Sequence, residues 1–113
     1  MTLRDLIREC VQELSKIDQI GPGRASEILV KLSSLLASIT KECVEARHIL
    51  SVKKVELLKE HGTATSATIY VEASPEFKEW AERDGLRKDV IEQMRAIKFY
   101  IKASVEEYKG TVS

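Results

Sequence analysis

Between about Arg24 and Glu60 apolar residues return every three or four positions without interruption, and no other feature constrains the fold as strongly. Leu29, Leu36, Cys43, Leu50 and Leu57 form one heptad series, and Leu32, Ile39 and Ala46 form a companion that turns polar at Lys53. That period belongs to a helix with a stripe facing other helices. Ile28 and Leu35 widen the stripe as far as Ile39. Its first part therefore needs more than one neighbour, and its second part needs a single partner helix. Gly62 breaks the pattern.

Two other segments supply the neighbours. Leu3, Leu6, Ile7, Cys10, Val11, Leu14 and Ile17 recur on one face of a helix expected over 3–18, with Thr2 and Asp5 at its start as an N-cap and an acidic first turn. Gly21, Pro22 and Gly23 separate it from the long helix, expected over 24–60. Ser74 and Pro75 open a last helix, serine as N-cap and proline as first helical residue, expected over 75–109 and stopped by Gly110. Its stripe runs through Phe77, Trp80, Leu86, Val90, Ile91, Met94, Ile97, Ile101, Val105 and Tyr108. Glu82 to Gly85 interrupts it, which predicts a bend, a stutter or a buried ion-pair layer. Residues 62–74 are threonine-rich and weakly helical, a connector with at most a helical turn or short strand from Ala67 to Ala73.

The fold expected is all-α: a short first helix, then a long antiparallel coiled-coil-like hairpin, in one helical domain over 1–113. Arms of this length run about 50 Å at 1.5 Å per residue. An even register sets Leu29 near Val105, Leu36 near Lys98, Cys43 near Ile91, and Arg47 opposite Asp84 or Arg87. Such a hairpin leaves apolar side chains over, so a homo-oligomer is expected, with Trp80, Val90, Ile97, Tyr100 and Ile101 as candidate interface residues.

Composition limits the function. Hydrophobic residues make up 43% and charged residues 32%, as in a globular chain rather than a disordered one. Lysine plus arginine number 18 and aspartate plus glutamate 18. That balance excludes a diffusely basic surface and an acidic mimic of DNA, but not a local basic face. Cys10 and Cys43 lack partners at metal-ligand spacing and read as small hydrophobes on helical stripes. No apolar run reaches the roughly 18 residues of a membrane span, and the first residues begin a helix rather than a signal peptide. A cytoplasmic protein is expected, in the host cell if the gene belongs to a phage, with no membrane partner.

Catalytic patterns do not emerge, and no enzyme activity, cofactor or metal is expected. His48 and His61 have no cysteine or carboxylate motif around them, and carboxylates alternate with lysine and arginine as on solvated helix faces. Arg47, Lys53, Lys54 and Lys59 form a candidate basic stripe, although Glu45, Glu56 and Glu60 interleave with it and describe an ordinary solvated face equally well.

The stretch 17–29 resembles the helix-hairpin-helix motif of DNA repair and recombination proteins. Ile20, Gly21, Ala25, Ile28 and Leu29 match it in type and spacing, while Gln19 stands where the motif has its first glycine. The resemblance implies DNA-backbone contact by Gly21, Gly23 and Arg24, through amides at a helix start and one cation. Any tight link between helices also favours Gly-Pro-Gly.

More broadly, Ile28 to Leu36, the Glu45-Ala46 step, the threonine-rich connector, Ala73 to Phe77 and Ile91 to Ile101 look like a family of small helical-hairpin proteins of tailed phages. Their order and length are also similar to the UvsY family of phage recombination mediators, which assemble as oligomers and help load a recombinase onto single-stranded DNA. What the resemblance implies is an oligomeric, non-enzymatic accessory protein of recombination or replication. Its partners would be single-stranded DNA, a recombinase or a single-strand-binding protein. The competing expectation is an interaction or structural adaptor, for virion assembly or inhibition of a host enzyme, without DNA binding.

Overall fold

The computed structural model describes residues 1–16 and 19–112, the last five by backbone alone. The fold is all-α, with four helices among the described residues: α1 (Leu3–Leu14), α2 (Pro22–His61), α3 (Ala64–Glu72) and α4 (Pro75–Val112). Their contacts divide the chain into two compact units. One comprises Met1–Ser38 with Lys88–Ser113, and the other Ile39–Arg87. The long helices α2 and α4, the arms of the hairpin, contribute to both.

Local chemistry sets most helix ends. At α1 the Thr2 hydroxyl accepts from the Asp5 amide, and the Asp5 carboxylate accepts from the Thr2 amide, a reciprocal capping box. That arrangement holds the Asp5 carboxyl below its usual range, through the hydrogen bonds from Thr2 first. The helix stops at Leu14 rather than near residue 18, with Ser15 as its C-cap and the Ser15 hydroxyl donating to the Gln12 carbonyl at 2.6 Å. Ile17 and Asp18, part of the expected stripe and hairpin, lie outside the described residues. The next helix starts at Pro22, two residues earlier than expected, with the Gly21 carbonyl accepting from the Ala25 amide at 3.0 Å. Proline lacks the N–H that would be orphaned at this position. At the far end of α2, Gly62 adopts a φ of 76°, the left-handed conformation that closes helices cheaply only at glycine.

The connector departs most from expectation. Residues 64–72 form a complete helix, capped by the Thr63 hydroxyl, which accepts from the Ser66 amide at 3.2 Å. Threonine and valine are indifferent helix formers. Burial of Ala67 and Val71, one helical turn apart, against Leu57 decides the outcome. Leu50 and Phe77 close over this cluster.

From Pro75 the last helix continues past Gly110 to Val112. Glu82 to Gly85 does not break it. Asp84 instead accepts two hydrogen bonds from Arg87, at 2.9 and 3.2 Å, in a half-buried pair on the same helix. Within the second unit Cys43 faces Asp84 and Arg87, four to seven residues before the position that an even register assigns it. Nearer the end of α2, Leu57 is covered by Ala67 and Val71 of α3, with Leu50 and Phe77 packed against them.

In the first unit Ile7, Cys10 and Leu14 of α1, Ala25, Ile28, Leu32 and Leu35 of α2, and Val90 and Ile97 of α4 are buried. Val90 and Ile97 are fully buried within the chain, which removes them from the expected oligomer interface. Val105, expected against Leu29, is exposed. The side chain of Tyr108 lies outside the described residues.

Candidate functional site

The hairpin between α1 and α2 is engaged internally. Arg24, in the first turn of α2, donates to both carboxylate oxygens of Glu13, one bond measuring 2.8 Å, and to Glu27 at 2.9 Å. The fork ties the end of α1 to the start of α2. Glu13 holds the guanidinium charged well above its ordinary range, Glu27 adds to this, and Arg24 in turn lowers the Glu13 carboxyl. The cation expected to meet phosphate is thus paired with two carboxylates at the surface. The turn brings Glu13 to Arg24 across eleven residues, so a phosphate at this cation would compete with two carboxylates. Tyr100, expected at an oligomer interface, donates its hydroxyl to the Ile20 carbonyl and braces the same turn. Ile101 is half-buried. A Cβ added at Gly21 or Gly23 would meet nothing within 4 Å, and neither glycine has a positive φ. The fold itself does not require glycine at either position.

The second unit offers a different kind of surface. Arg47, Leu50, Ser51 and Lys54 succeed one another on one face of α2, at the three- and four-residue steps of a helix. With Thr68, Val71 and Glu72 of α3 and Phe77 and Trp80 of α4 they line a groove of about 350 Å³. The Phe77 and Trp80 rings are tilted at 53°, their centroids 5.7 Å apart. The groove thus combines an apolar and aromatic floor with two cations and one carboxylate. The basic stripe expected along α2 is split here. Arg47 and Lys54 lie in this groove, whereas Lys53 lines a second groove of about 280 Å³ with His48, Ile49, Val52, Glu56 and Glu76. Lys59 is exposed and lines neither. Lys53 and Lys54 adjoin in sequence, and a helix turns adjacent residues about 100° apart.

Neither cysteine is activated. Both thiols are free and buried, and burial raises each above its ordinary range. A protonated thiol is a poor nucleophile and a poor metal ligand. Among the described residues no three histidine, cysteine, aspartate or glutamate side chains gather as a metal site. His61 stacks flat on Tyr70 at 3.9 Å, and His48 is exposed. Among the described residues no helix is long and apolar enough to cross a membrane.

The sequence pattern assigns Trp80 to an oligomer interface and does not disclose its place in one groove with Arg47 and Lys54. The spacing of Arg47, Leu50 and Lys54 was readable as one face. The aromatic opposite them depended on the register. Comparison with protein-family models, curated proteins and solved structures returns no match.

Proposed function

We propose that the protein is a non-enzymatic accessory factor of phage DNA recombination or replication, self-associating and binding single-stranded DNA or the recombinase that coats it. The observation that carries this reading is the groove shared by Arg47, Lys54, Phe77 and Trp80. Single strands are held by cations that follow the phosphates and by aromatic rings on which bases stack. Two cations give a modest electrostatic share, with log Kobs falling against log salt at a slope of about −1.4 for two phosphates of single-stranded DNA. Stacking adds about 1–3 kcal/mol per base. Such a grip is local, which agrees with a chain of zero formal net charge. The likeness in helix order to phage recombination mediators supports the same reading, and the host cytoplasm is where such a factor acts.

Trp80 is the only tryptophan, so its fluorescence reports directly on the groove. Titration with a labelled oligonucleotide at about 50 mM salt should quench it and raise the anisotropy, and both signals should weaken at about 200 mM. Trp80→Ala should lower affinity about 5- to 150-fold. No quenching and no anisotropy change with micromolar protein would remove DNA from the reading. A second reading then stands, a protein-interaction adaptor in virion assembly or inhibition of a host enzyme. It draws support from the exposed aliphatics Val44 and Ile69, and from Glu72 on the wall of the groove.

A further inference from the structure

The groove of Arg47 and Trp80 draws its lining from three helices of the second unit, and its charges are not spent within the chain. Among the described residues no salt bridge joins Arg47, Lys54 or Glu72 to a partner, in contrast to Arg24 at the hairpin. The hydroxyl hydrogens of the lining are already committed. Ser51 donates to the Arg47 carbonyl at 3.0 Å, and Thr68 donates to the Ala64 carbonyl at 2.9 Å. Apart from the two cations, the polar side chains of the groove therefore accept hydrogen bonds rather than donate them. Glu72, the last residue of α3, is the one carboxylate among the described residues that line it.

We propose that the groove holds one nucleotide of a single strand and prefers guanine, with Glu72 accepting from the N1–H and N2–H groups of the base. This rests on the single-strand reading above and names the base that its site selects. A volume of about 350 Å³ is at the small end of ligand sites, which suits one base and its sugar rather than a stacked run. The 53° tilt between Phe77 and Trp80 keeps both rings from lying on one base face. A base lies flat on one ring and meets the other at its edge. Arg47 and Lys54 stand two turns apart on α2, about 10 Å at 1.5 Å per residue. A nucleotide within a strand has a phosphate on either side, and each cation takes one. A carboxylate opposes phosphate, so Glu72 suits this groove only where a donor-bearing base edge faces it. In a single strand the Watson–Crick edge is unpaired and open to such reading. Guanine sets two N–H donors side by side there, matching the two oxygens of a carboxylate. Cytosine and adenine each offer an amino group beside an acceptor. Thymine holds its N3–H between two carbonyl oxygens and fits worst.

Strands of abasic residues carrying one central base test the preference, because only that base can enter the groove. Titrations followed by Trp80 fluorescence at about 50 mM salt should give an affinity for the guanine strand about 5- to 150-fold above that for the thymine strand. Hypoxanthine, which lacks only the N2 amino group, should fall between them. Glu72→Gln keeps the side-chain shape but replaces one acceptor oxygen with a donor. It should bring guanine and thymine to near equality without weakening the thymine strand, with circular dichroism to check helix content. If neither these strands nor a thymidine oligonucleotide quenches Trp80, the single-strand reading falls and this inference falls with it. Equal affinity for guanine and thymine, with binding intact, overturns the base preference alone. A guanine preference that survives Glu72→Gln removes Glu72 from the recognition.

Discussion

The two units share the same long helices yet fill their interiors differently. The first buries Ile7, Leu14, Ile28, Leu32, Val90 and Ile97, with α1 as a third helix over the widest part of the α2 stripe. The second buries fewer large side chains, Ile39, Leu57 and Val71, beside the smaller Cys43, Ala46 and Ala67, and leaves Val44, Ile49, Val52, Val55 and Leu58 of α2, with Ile69 and Tyr70 of α3, on the outside. Its covering helix, α3, is nine residues long. Helix content is therefore no guide to where stability resides. Burial of large aliphatics is worth about 1.5–3 kcal/mol per side chain. On that basis the first unit carries more of the stability, and the second presents more surface for recognition.

The largest effect separating the units should come from Leu32→Ala. Leu32 is fully buried, and its truncation should destabilise by about 2–5 kcal/mol. Val44→Ala, at an exposed position of the same helix, should stay within about 0.5 kcal/mol. Thermal or urea denaturation at low protein concentration measures both, and equal losses would break the contrast. Next in size is Ala67→Leu. The small core of the second unit is closed at this point, so overpacking should cost about 1–3 kcal/mol. A neutral or stabilising result would show room that the packing does not indicate.

Helix caps provide a finer comparison. Thr2→Ala should cost about 1 kcal/mol and exceed Thr63→Ala, because Thr2 takes part in a reciprocal box and Thr63 makes a single bond. The two caps also differ in their response to acid. Asp5 has a folded pKa below its ordinary value of 3.8, so its contribution is present above that value and is lost as pH falls through the lower, folded one. Asp5→Asn should remove this acid-linked loss, read as a flatter stability profile below about pH 4. Thr63→Ala should leave the profile unchanged.

The smallest expected effect is at the hairpin. Gly23 lies inside α2 without a positive φ, so Gly21→Ala with Gly23→Ala should raise stability by about 0.4–1 kcal/mol. Oligonucleotide affinity should stay constant if the groove of the second unit makes the contact. A fall in affinity with helix content intact would return the contact to the hairpin.

What the sequence determined was chiefly local. Thr2 with Asp5, Ser74 with Pro75, and Gly62 mark helix ends because capping and left-handed closure depend on residues within one turn. The stripe from Ala25 through Leu32, Ile39 and Cys43 to Leu57 follows from helical geometry alone. Helix α3 lay beyond that reach, since weak local propensity was overridden by the burial of Ala67 and Val71 against Leu57. Its only local signals were Thr63 as a cap and two small apolar residues one turn apart. Register, too, was decided by tertiary structure. A heptad stripe matches its partner nearly as well after a slip of one or two turns, so the pattern alone leaves Cys43 free to meet Ile91 or Arg87. Packing of Leu50 and Phe77 with the Leu57 cluster accompanies the latter arrangement. That choice brings Trp80 to Arg47 and Lys54. The sequence determined that there would be two long helices with basic and aromatic residues on them. Only their packing decided which of those residues meet.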